Sequence, residues 1–239
     1  MAFIKCQYTN DYLLTYIGKI PVIIWGAKSD KVYIYVHGKM SDKESAETFA
    51  QIAENKGYQT ISFDLPEHGE RKSKNYRCDI WNGISDLHQI SFYTFANWKS
   101  VSLFACSLGA YFSLQAYKDI TFEKCFFLSP IVNMEYLIKN MFQWFHVTEE
   151  MLYTKREIPT PIDTLSWDYF QYVKKNPVTR WNSPTYILYG GKDNLQSLQV
   201  IENFTKSNSV LLTISEQSEH SFMGKGDDRI IKSWICDNL

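Results

Sequence analysis

The sequence predicts an α/β protein in which a mostly parallel sheet is covered by helices on both faces. Short apolar runs alternate with segments of helical spacing, and this alternation is typical of parallel strands joined by helical crossovers. The chain has 239 residues, of which 45% are hydrophobic and 21% charged, so it can bury a full core. These values favour one globular domain that carries an insertion over two independent domains.

The N-terminal part of the sheet is predicted to be antiparallel. Turn signals separate three short apolar runs, at 3–8, 12–16 and 21–25. A stronger strand follows at 32–36. After it, Ser41 as N-cap, with Glu44 three residues later, forms a capping box and predicts the start of a helix that stops at Gly57.

The rest of the chain continues the alternation. Further strands are predicted at 58–63, 101–104, 124–128, 185–189 and 209–214. Further helices are predicted at 79–98, 110–117 and 227–237. Because the carboxyl ends of parallel strands meet at one edge of a sheet, we expect the functional groups in the loops at that edge.

One interval, residues 131–182, is too long for an ordinary connection, since unstructured loops rarely exceed about 15 residues. We expect residues 1–130 and 183–239 to form the core and residues 131–182 to fold as a helical lid or cap. The alternative is that the aromatic side chains of this insertion only pack a local core. Those side chains are Trp144, Phe145, Tyr153, Trp167, Tyr169 and Phe170.

The segment Ala105-Cys106-Ser107-Leu108-Gly109 lies between a predicted strand and a predicted helix. A sharp turn at this place exposes a serine hydroxyl, as in the G-x-S-x-G nucleophile elbow, with alanine replacing the first glycine. Cys106 is expected to point away from the pocket. Ser107 is the candidate nucleophile; its alternative role is that of a simple helix N-cap.

A serine nucleophile needs a base and a group that orients the base. His220 lies after the predicted 209–214 strand, and Asp193 follows the turn after the 185–189 strand. Glu216 and Glu219 are rival acids, and Asp193 is preferred.

His37 and His68 each precede a glycine in a turn and are expected to make structural hydrogen bonds. In the same turn, the backbone N–H of Lys39, with that of Leu108, is expected to form an oxyanion hole. Met40 is expected at the substrate site.

These motifs resemble, in type and order, those of the α/β-hydrolase superfamily, and the resemblance runs from Tyr33 to the C-terminus. The motifs are the 37–38 turn, the 64–69 loop, the 105–109 elbow, and the 189–193 and 219–222 segments. The chain looks most similar to small bacterial esterase-like serine hydrolases. The resemblance implies a central sheet of about eight strands with an insertion after the sixth, and a triad in the order serine, aspartate, histidine.

The implied activity is cofactor-independent hydrolysis of a carboxylic ester or thioester through an acyl-enzyme. The substrate is expected to be a small molecule with a small to medium apolar acyl group, bound by Met40, Trp144, Phe145 and Trp167. Three alternatives stay open: a serine peptidase or amidase, an acyltransferase, and a non-catalytic binding protein on the same fold.

Composition argues against other classes of partner. The net charge is −1, without a dense cluster of basic residues, so no nucleic-acid partner is expected. No apolar run approaches the length of a membrane span or a signal peptide, and no metal or cofactor motif is present. Five scattered cysteines suggest reduced thiols in a cytoplasmic protein. A homo-oligomer is possible on this evidence, and the sequence does not specify one.

Overall fold

The computed structural model describes residues 12–72, 75–206 and 208–239, and within them eight strands form one central sheet. These strands are β1 (Tyr12–Ile17), β2 (Ile20–Trp25), β3 (Lys31–Val36), β4 (Gln59–Phe63), β5 (Ser100–Cys106), β6 (Cys125–Leu128), β9 (Thr185–Gly190) and β10 (Val210–Ser215). A separate hairpin consists of β7 (Glu157–Pro159) and β8 (Thr164–Ser166). The predicted strand at 3–8 lies outside the described residues.

The sheet confirms the predicted mostly parallel arrangement with an antiparallel N-terminal part. Its order is β1-β2-β4-β3-β5-β6-β9-β10; β2 pairs antiparallel with β1 and β4, and the remaining neighbours are parallel. Val36 pairs with Ala105, and Cys106 pairs with Leu128. The carboxyl ends of β3, β5 and β6 therefore lie side by side, and their loops emerge at one edge of the sheet.

Helices cover both faces of the sheet. They are α1 (Glu47–Glu54), α2 (Ile80–Asn97), α3 (Ser107–Ala116), α4 (Met134–Trp144), α5 (Glu149–Lys155), α6 (Trp167–Lys175), α7 (Leu198–Lys206) and α8 (Asp227–Asn238). Residues of α1 and α8 pack on one face, and residues of α2 and α3 pack on the other. Across the described residues, no helix combines the length and the apolar character needed to span a membrane.

The face covered by α1 and α8 packs through aromatic rings. Phe104, in the central strand β5, is 2% exposed; its ring stacks on Tyr35 with 4.9 Å between centroids. The same ring lies 4.4 Å from that of Phe49 in α1 and 6.3 Å from that of Trp234 in α8. Burial of one such side chain contributes about 1.5–3 kcal/mol, and this layer fixes both helices on the sheet.

The segment after β3 begins differently from the prediction. It opens with a 3-10 turn, Lys43–Ala46, whose N-cap is Asp42, and the Asp42 side chain makes no capping hydrogen bond. The N–H of Lys43 instead donates to Asp64 Oδ1 at 2.9 Å, and the Glu44 carboxylate pairs with Lys43 Nζ. The predicted Ser41 capping box is wrong, because the backbone N–H of Lys43 donates to Asp64, which is distant in sequence, and not to Ser41.

Residues 131–182 follow β6, the sixth strand of the sheet, and contain α4, α5, the β7–β8 hairpin and α6. The helical spacing of the sequence predicted helices here, but the hairpin was not anticipated. Helix α7 was also missed, because its short apolar pattern lies between two loops; its buried residues are Ile201 and Phe204.

Asp64 joins the loops that follow β3 and β4. Its buried carboxylate accepts bonds from the N–H groups of Lys43 at 2.9 Å and Glu70 at 3.0 Å, and it lies 3.0 Å from Lys43 Nζ. Burial works to lower the pKa of Lys43, but hydrogen bonds to Glu70, Glu44 and Asp64 raise it above its ordinary value. A buried ammonium is thus balanced beside the carboxyl edge of the sheet.

We expect Asp64→Asn to lower the free energy of unfolding by about 3 kcal/mol or more, because it removes a carboxylate that balances a buried charge. Urea denaturation at pH 7 measures the loss. Asp30→Asn is the matched control, since its pair with Lys99 is exposed and should change stability little. Equal losses in the two variants would contradict the structural role of Asp64.

Candidate active site

Ser107 lies at the turn from β5 into α3. It is the first residue of α3, and its φ of +46° lies in the left-handed region, whereas Cys106 before it is extended. A side chain in this region costs on the order of 1–3 kcal/mol, so the surrounding structure must hold it. The carbonyl of Ser107 accepts a bond from the N–H of Ile131 at 3.2 Å, which ties the turn to the insertion.

Two glycines let this turn approach the end of β3. A Cβ on Gly109 would lie 2.3 Å from the carbonyl oxygen of His37, and one on Gly38 would lie 3.2 Å from Ser107 Cβ. The first distance is far below van der Waals contact, and its neighbour is backbone that cannot rotate away. Ala105, where the motif departs from glycine, is fully buried. The local sequence therefore permits the close contact that positions the serine.

The structure brings Ser107, His220 and Asp193 together. Ser107 Oγ lies 2.8 Å from His220 Nε2, and His220 Nδ1 lies 2.7 Å from Asp193 Oδ2. The Asp193 side chain is completely buried and that of His220 is 14% exposed. A hydroxyl, an imidazole and a carboxylate in this order can pass a proton from the hydroxyl to an oriented base.

Backbone donors hold the carboxylate in place. Asp193 Oδ1 accepts bonds from the N–H groups of Leu195 at 2.7 Å and Gln196 at 3.1 Å, which leaves Oδ2 for the imidazole. Asp193, rather than Glu216 or Glu219, is the acid that the fold places against His220. The choice made from the sequence is the one that the geometry supports.

The loops that carry the acid and the base pack closely. A Cβ on Gly190 would lie 2.6 Å from the carbonyl oxygen of Ser218, so only glycine leaves room for this approach. The N–H of Lys192 donates to the same carbonyl at 3.0 Å, and the N–H of Gly191 donates to Ser215 at 2.8 Å. These contacts fix the Asp193 loop on the His220 loop.

Two buried histidines hold the loops near the nucleophile. His37 Nδ1 donates to the carbonyl of Gly38 at 2.7 Å, and His37 Nε2 accepts from the N–H of Leu65 at 3.0 Å. His68 Nε2 accepts from the N–H of Met40 at 3.1 Å. Since each Nε2 must accept, both rings are neutral here, and burial lowers the pKa of His37 to about 4.

The predicted oxyanion donors belong to residues on opposite sides of the nucleophile in sequence. Lys39 follows the loop held by His37, and Leu108 is in the first turn of α3, where backbone N–H groups have no intrahelical partner. Both residues line a cavity that also contains Ser107. The structure thus places both residues at the same cavity as Ser107, and their role as oxyanion donors stays a prediction.

This cavity has a volume of about 100 Å³ and is mainly apolar. One wall is a stripe at helical spacing on α4, formed by Met134, Leu137, Ile138 and Met141. Tyr169 of α6 forms part of the opposite side with residues of the β7–β8 hairpin. A larger cleft of about 370 Å³ does not include Ser107. The cavity beside Ser107 is thus the candidate acyl site.

The four residues predicted to bind substrate do not line this cavity. Met40 is 93% exposed and Trp144 is 40% exposed. Trp167 packs against Tyr153 with 5.1 Å between ring centroids, and Phe145 packs against the core. The prediction was based mainly on large aromatic residues. The aliphatic stripe on α4, the helix after β6, is the sequence feature that indicates the cavity wall.

Besides the bond from the N–H of Ile131 to Ser107, side chains near the site also hold the insertion. The buried Gln196, next to the Asp193 loop, accepts from the N–H groups of Val132 at 3.1 Å and Asn133 at 2.8 Å. Lys39 Nζ pairs with the carboxylate of Asp163 at the hairpin, and both side chains are partly exposed. The Gln196 contact is buried and the ion pair is open to solvent.

Solved structures share this architecture across nearly the whole chain. Alpha/beta hydrolase domain-containing protein 10 from mouse is 14% identical, covers 96% of this chain and 98% of its own, and has a TM-score of 0.74. Est1E from Butyrivibrio proteoclasticus, in a structure with ferulic acid bound, is 14% identical over 94% and 96%, with a TM-score of 0.72. The esterase PF2001 from Pyrococcus furiosus is 18% identical over 95% and 89%, with a TM-score of 0.64.

No protein-family model matches the sequence, and no curated protein matches it. At 14–18% identity the solved structures establish a shared fold. The chain has the α/β-hydrolase fold, which confirms the fold that its motifs predicted.

The neutral His37 makes stability depend on pH. Its lowered pKa means that the unfolded chain binds a proton that the folded chain excludes between about pH 6.5 and 4. The contribution of the neutral His37 to the free energy of unfolding is therefore fully present above about pH 6.5, and it decreases as the pH falls through this window. Urea denaturation at pH 7, 5.5 and 4.5 should show a smaller fall in His37→Gln than in the wild type. Parallel pH profiles for the two proteins would contradict the assignment.

Proposed function

We propose that this protein is a cofactor-independent serine hydrolase that cleaves carboxylic esters or thioesters through an acyl-enzyme. The observation that carries the proposal is the chain of contacts from Ser107 Oγ to His220 at 2.8 Å and from His220 to the buried Asp193 at 2.7 Å. The likeness in fold to esterases supports a hydrolase in general. The site residues supply the more specific mechanism.

In the first half-reaction, Ser107 Oγ attacks the acyl carbon and its proton passes to His220 Nε2. Asp193 accepts the bond from Nδ1–H, so the ring keeps the tautomer in which Nε2 is free to accept. The positive imidazolium that forms is balanced by a carboxylate already held by two backbone donors. His220 then gives the proton to the leaving alcohol or thiol.

The negative oxygen of the tetrahedral intermediate needs donors that are already in place. The N–H groups of Lys39 and Leu108 would supply them, and loss of a single such donor typically costs about 2.7–4 kcal/mol in the barrier. In the second half-reaction, His220 removes a proton from water, which attacks the acyl-enzyme. Collapse of the second intermediate returns the proton to Ser107 and releases the acid.

The volume of the cavity limits the acyl group. A cavity of about 150 Å³ holds benzene, so by proportion the cavity of about 100 Å³ beside Ser107 holds about four carbon atoms. A feruloyl group is larger than benzene and exceeds this space. We therefore propose a short aliphatic acyl group as the preferred one, with up to about four carbons in the cavity and the carbonyl carbon at Ser107 as the fifth.

Ser107→Ala should lower kcat/KM for p-nitrophenyl butanoate on the order of 10⁴-fold or more, because it removes the hydroxyl that contacts His220 and would form the acyl-enzyme. Burial raises the pKa of the neighbouring Cys106 thiol to about 12, so Cys106→Ala is a matched control that should keep most of its activity. Thermal melts establish that both variants are folded. A folded Ser107→Ala protein with wild-type activity would exclude this mechanism.

The acyl-length profile tests the cavity. With p-nitrophenyl esters from acetate to octanoate, kcat/KM should peak at or below pentanoate and fall beyond it. Met141→Ala removes part of the cavity wall and should move the peak to longer chains. Trp144→Ala, on the same helix but outside the cavity, should leave the profile unchanged. A shift with Trp144→Ala alone would restore the aromatic residues as the substrate wall.

A further inference from the structure

One residue that lines the acyl cavity, Tyr169, carries a buried polar group with no partner in the described part of the chain. The hydroxyl of Tyr169 is shielded from solvent, and among the described residues it makes no hydrogen bond. Tyr169 lines the cavity that also contains Ser107. An unpaired buried hydroxyl lowers stability, so its presence in a functional cavity requires an explanation.

Nearby polar groups already have partners of their own. Lys39 and Asp163 form an ion pair, and the Ser166 hydroxyl accepts from the N–H of Tyr169 at the start of α6. Burial raises the pKa of Cys78 to about 12, so its thiol is neutral and a weak hydrogen-bonding group. Among the described residues that line the cavity, the phenol of Tyr169 is therefore the neutral donor that is buried without a hydrogen bond.

We propose, on the basis of the hydrolase function above, that Tyr169 determines acyl specificity by donating a hydrogen bond to a neutral oxygen on a short acyl chain. An ether, hydroxyl or carbonyl oxygen in the chain would satisfy the phenol, whereas an all-carbon chain leaves it unpaired. Binding sites of this kind discriminate strongly against the analogue that lacks the polar atom.

Charge and size restrict the class further. An anionic acyl group is disfavoured, because the apolar wall of α4 cannot solvate it and Lys39, the cation among the described lining residues, is already paired with Asp163. Burial also keeps the pKa of Tyr169 well above its ordinary value, so the phenol stays a donor at all physiological pH values. The substrate class is thus an ester or thioester of a short, uncharged, oxygen-bearing acid.

An oxygen scan of one acyl chain tests this. The p-nitrophenyl esters of pentanoate, ethoxyacetate and 3-methoxypropanoate differ only by replacement of a CH₂ group with oxygen at one of two positions. For each ether ester, kcat/KM is divided by that of the pentanoate ester, both in the wild type and in Tyr169→Phe. Comparison of this ratio between the two proteins cancels the effect of the oxygen on the reactivity of the ester. We expect the ratio for at least one ether ester to fall about fivefold to tenfold in Tyr169→Phe, the net value of one neutral hydrogen bond.

Tyr172→Phe, on the same helix but outside the cavity, is the matched control and should leave both ratios unchanged. Tyr169→Phe should also keep or raise the melting temperature, because it removes a hydroxyl that bonds to nothing in the protein. Unchanged ratios in Tyr169→Phe, or a marked fall in its melting temperature, would overturn the role of Tyr169.

The two proposals fail in different ways. Turnover of the pentanoate ester that depends on Ser107, together with ratios that Tyr169→Phe does not change, rejects only the role of Tyr169. Turnover that survives in folded Ser107→Ala, or no turnover of any of the three esters, rejects the hydrolase proposal and the acyl site with it.

Discussion

The close approach of α3 to the end of β3 is the constraint on which the rest of the site depends. Gly109 has no room for a side chain beside the carbonyl of His37, and Ser107 is held with φ of +46°. This geometry orients the Ser107 hydroxyl toward His220 and leaves the amide of Leu108 at the free start of a helix. The energetic cost of the strained turn is offset by the largely buried strands β3 and β5 beside it.

Buried polar groups hold the loops around that turn in position. His37 and Lys43 can make their contacts in only one charge state. His37 must be neutral because its Nε2 accepts a bond from Leu65, while the ammonium of Lys43 must be charged because Asp64 balances it. Asp193 is buried as well, and its second oxygen is occupied by backbone donors. The carboxyl edge of the sheet is therefore held by paired buried groups around the proposed path of the proton, an arrangement that suits preorganised catalysis.

The insertion gives the common fold a particular pocket. Its first helix supplies an aliphatic wall, and its last helix supplies Tyr169, while Gln196 attaches the start of the insertion to the loop of Asp193. The aromatic residues that stand out in the sequence pack mostly within the insertion or face solvent. The cavity beside Ser107 is therefore small and mainly aliphatic, and, within the residues described, the unpaired hydroxyl in it belongs to Tyr169.

The sequence by itself determined the α/β class and the positions of most strands, and it placed the three residues of the proposed triad in turns and loops that follow apolar strands. Local pattern suffices there, since parallel strands bring their carboxyl ends to one edge whatever the helices do. Only the tertiary structure decided that Asp64 replaces the Ser41 cap, and that Met141 rather than Trp144 lines the cavity. Those outcomes depend on how a helix is rotated against a sheet and on contacts between distant loops, and neither is encoded in local spacing.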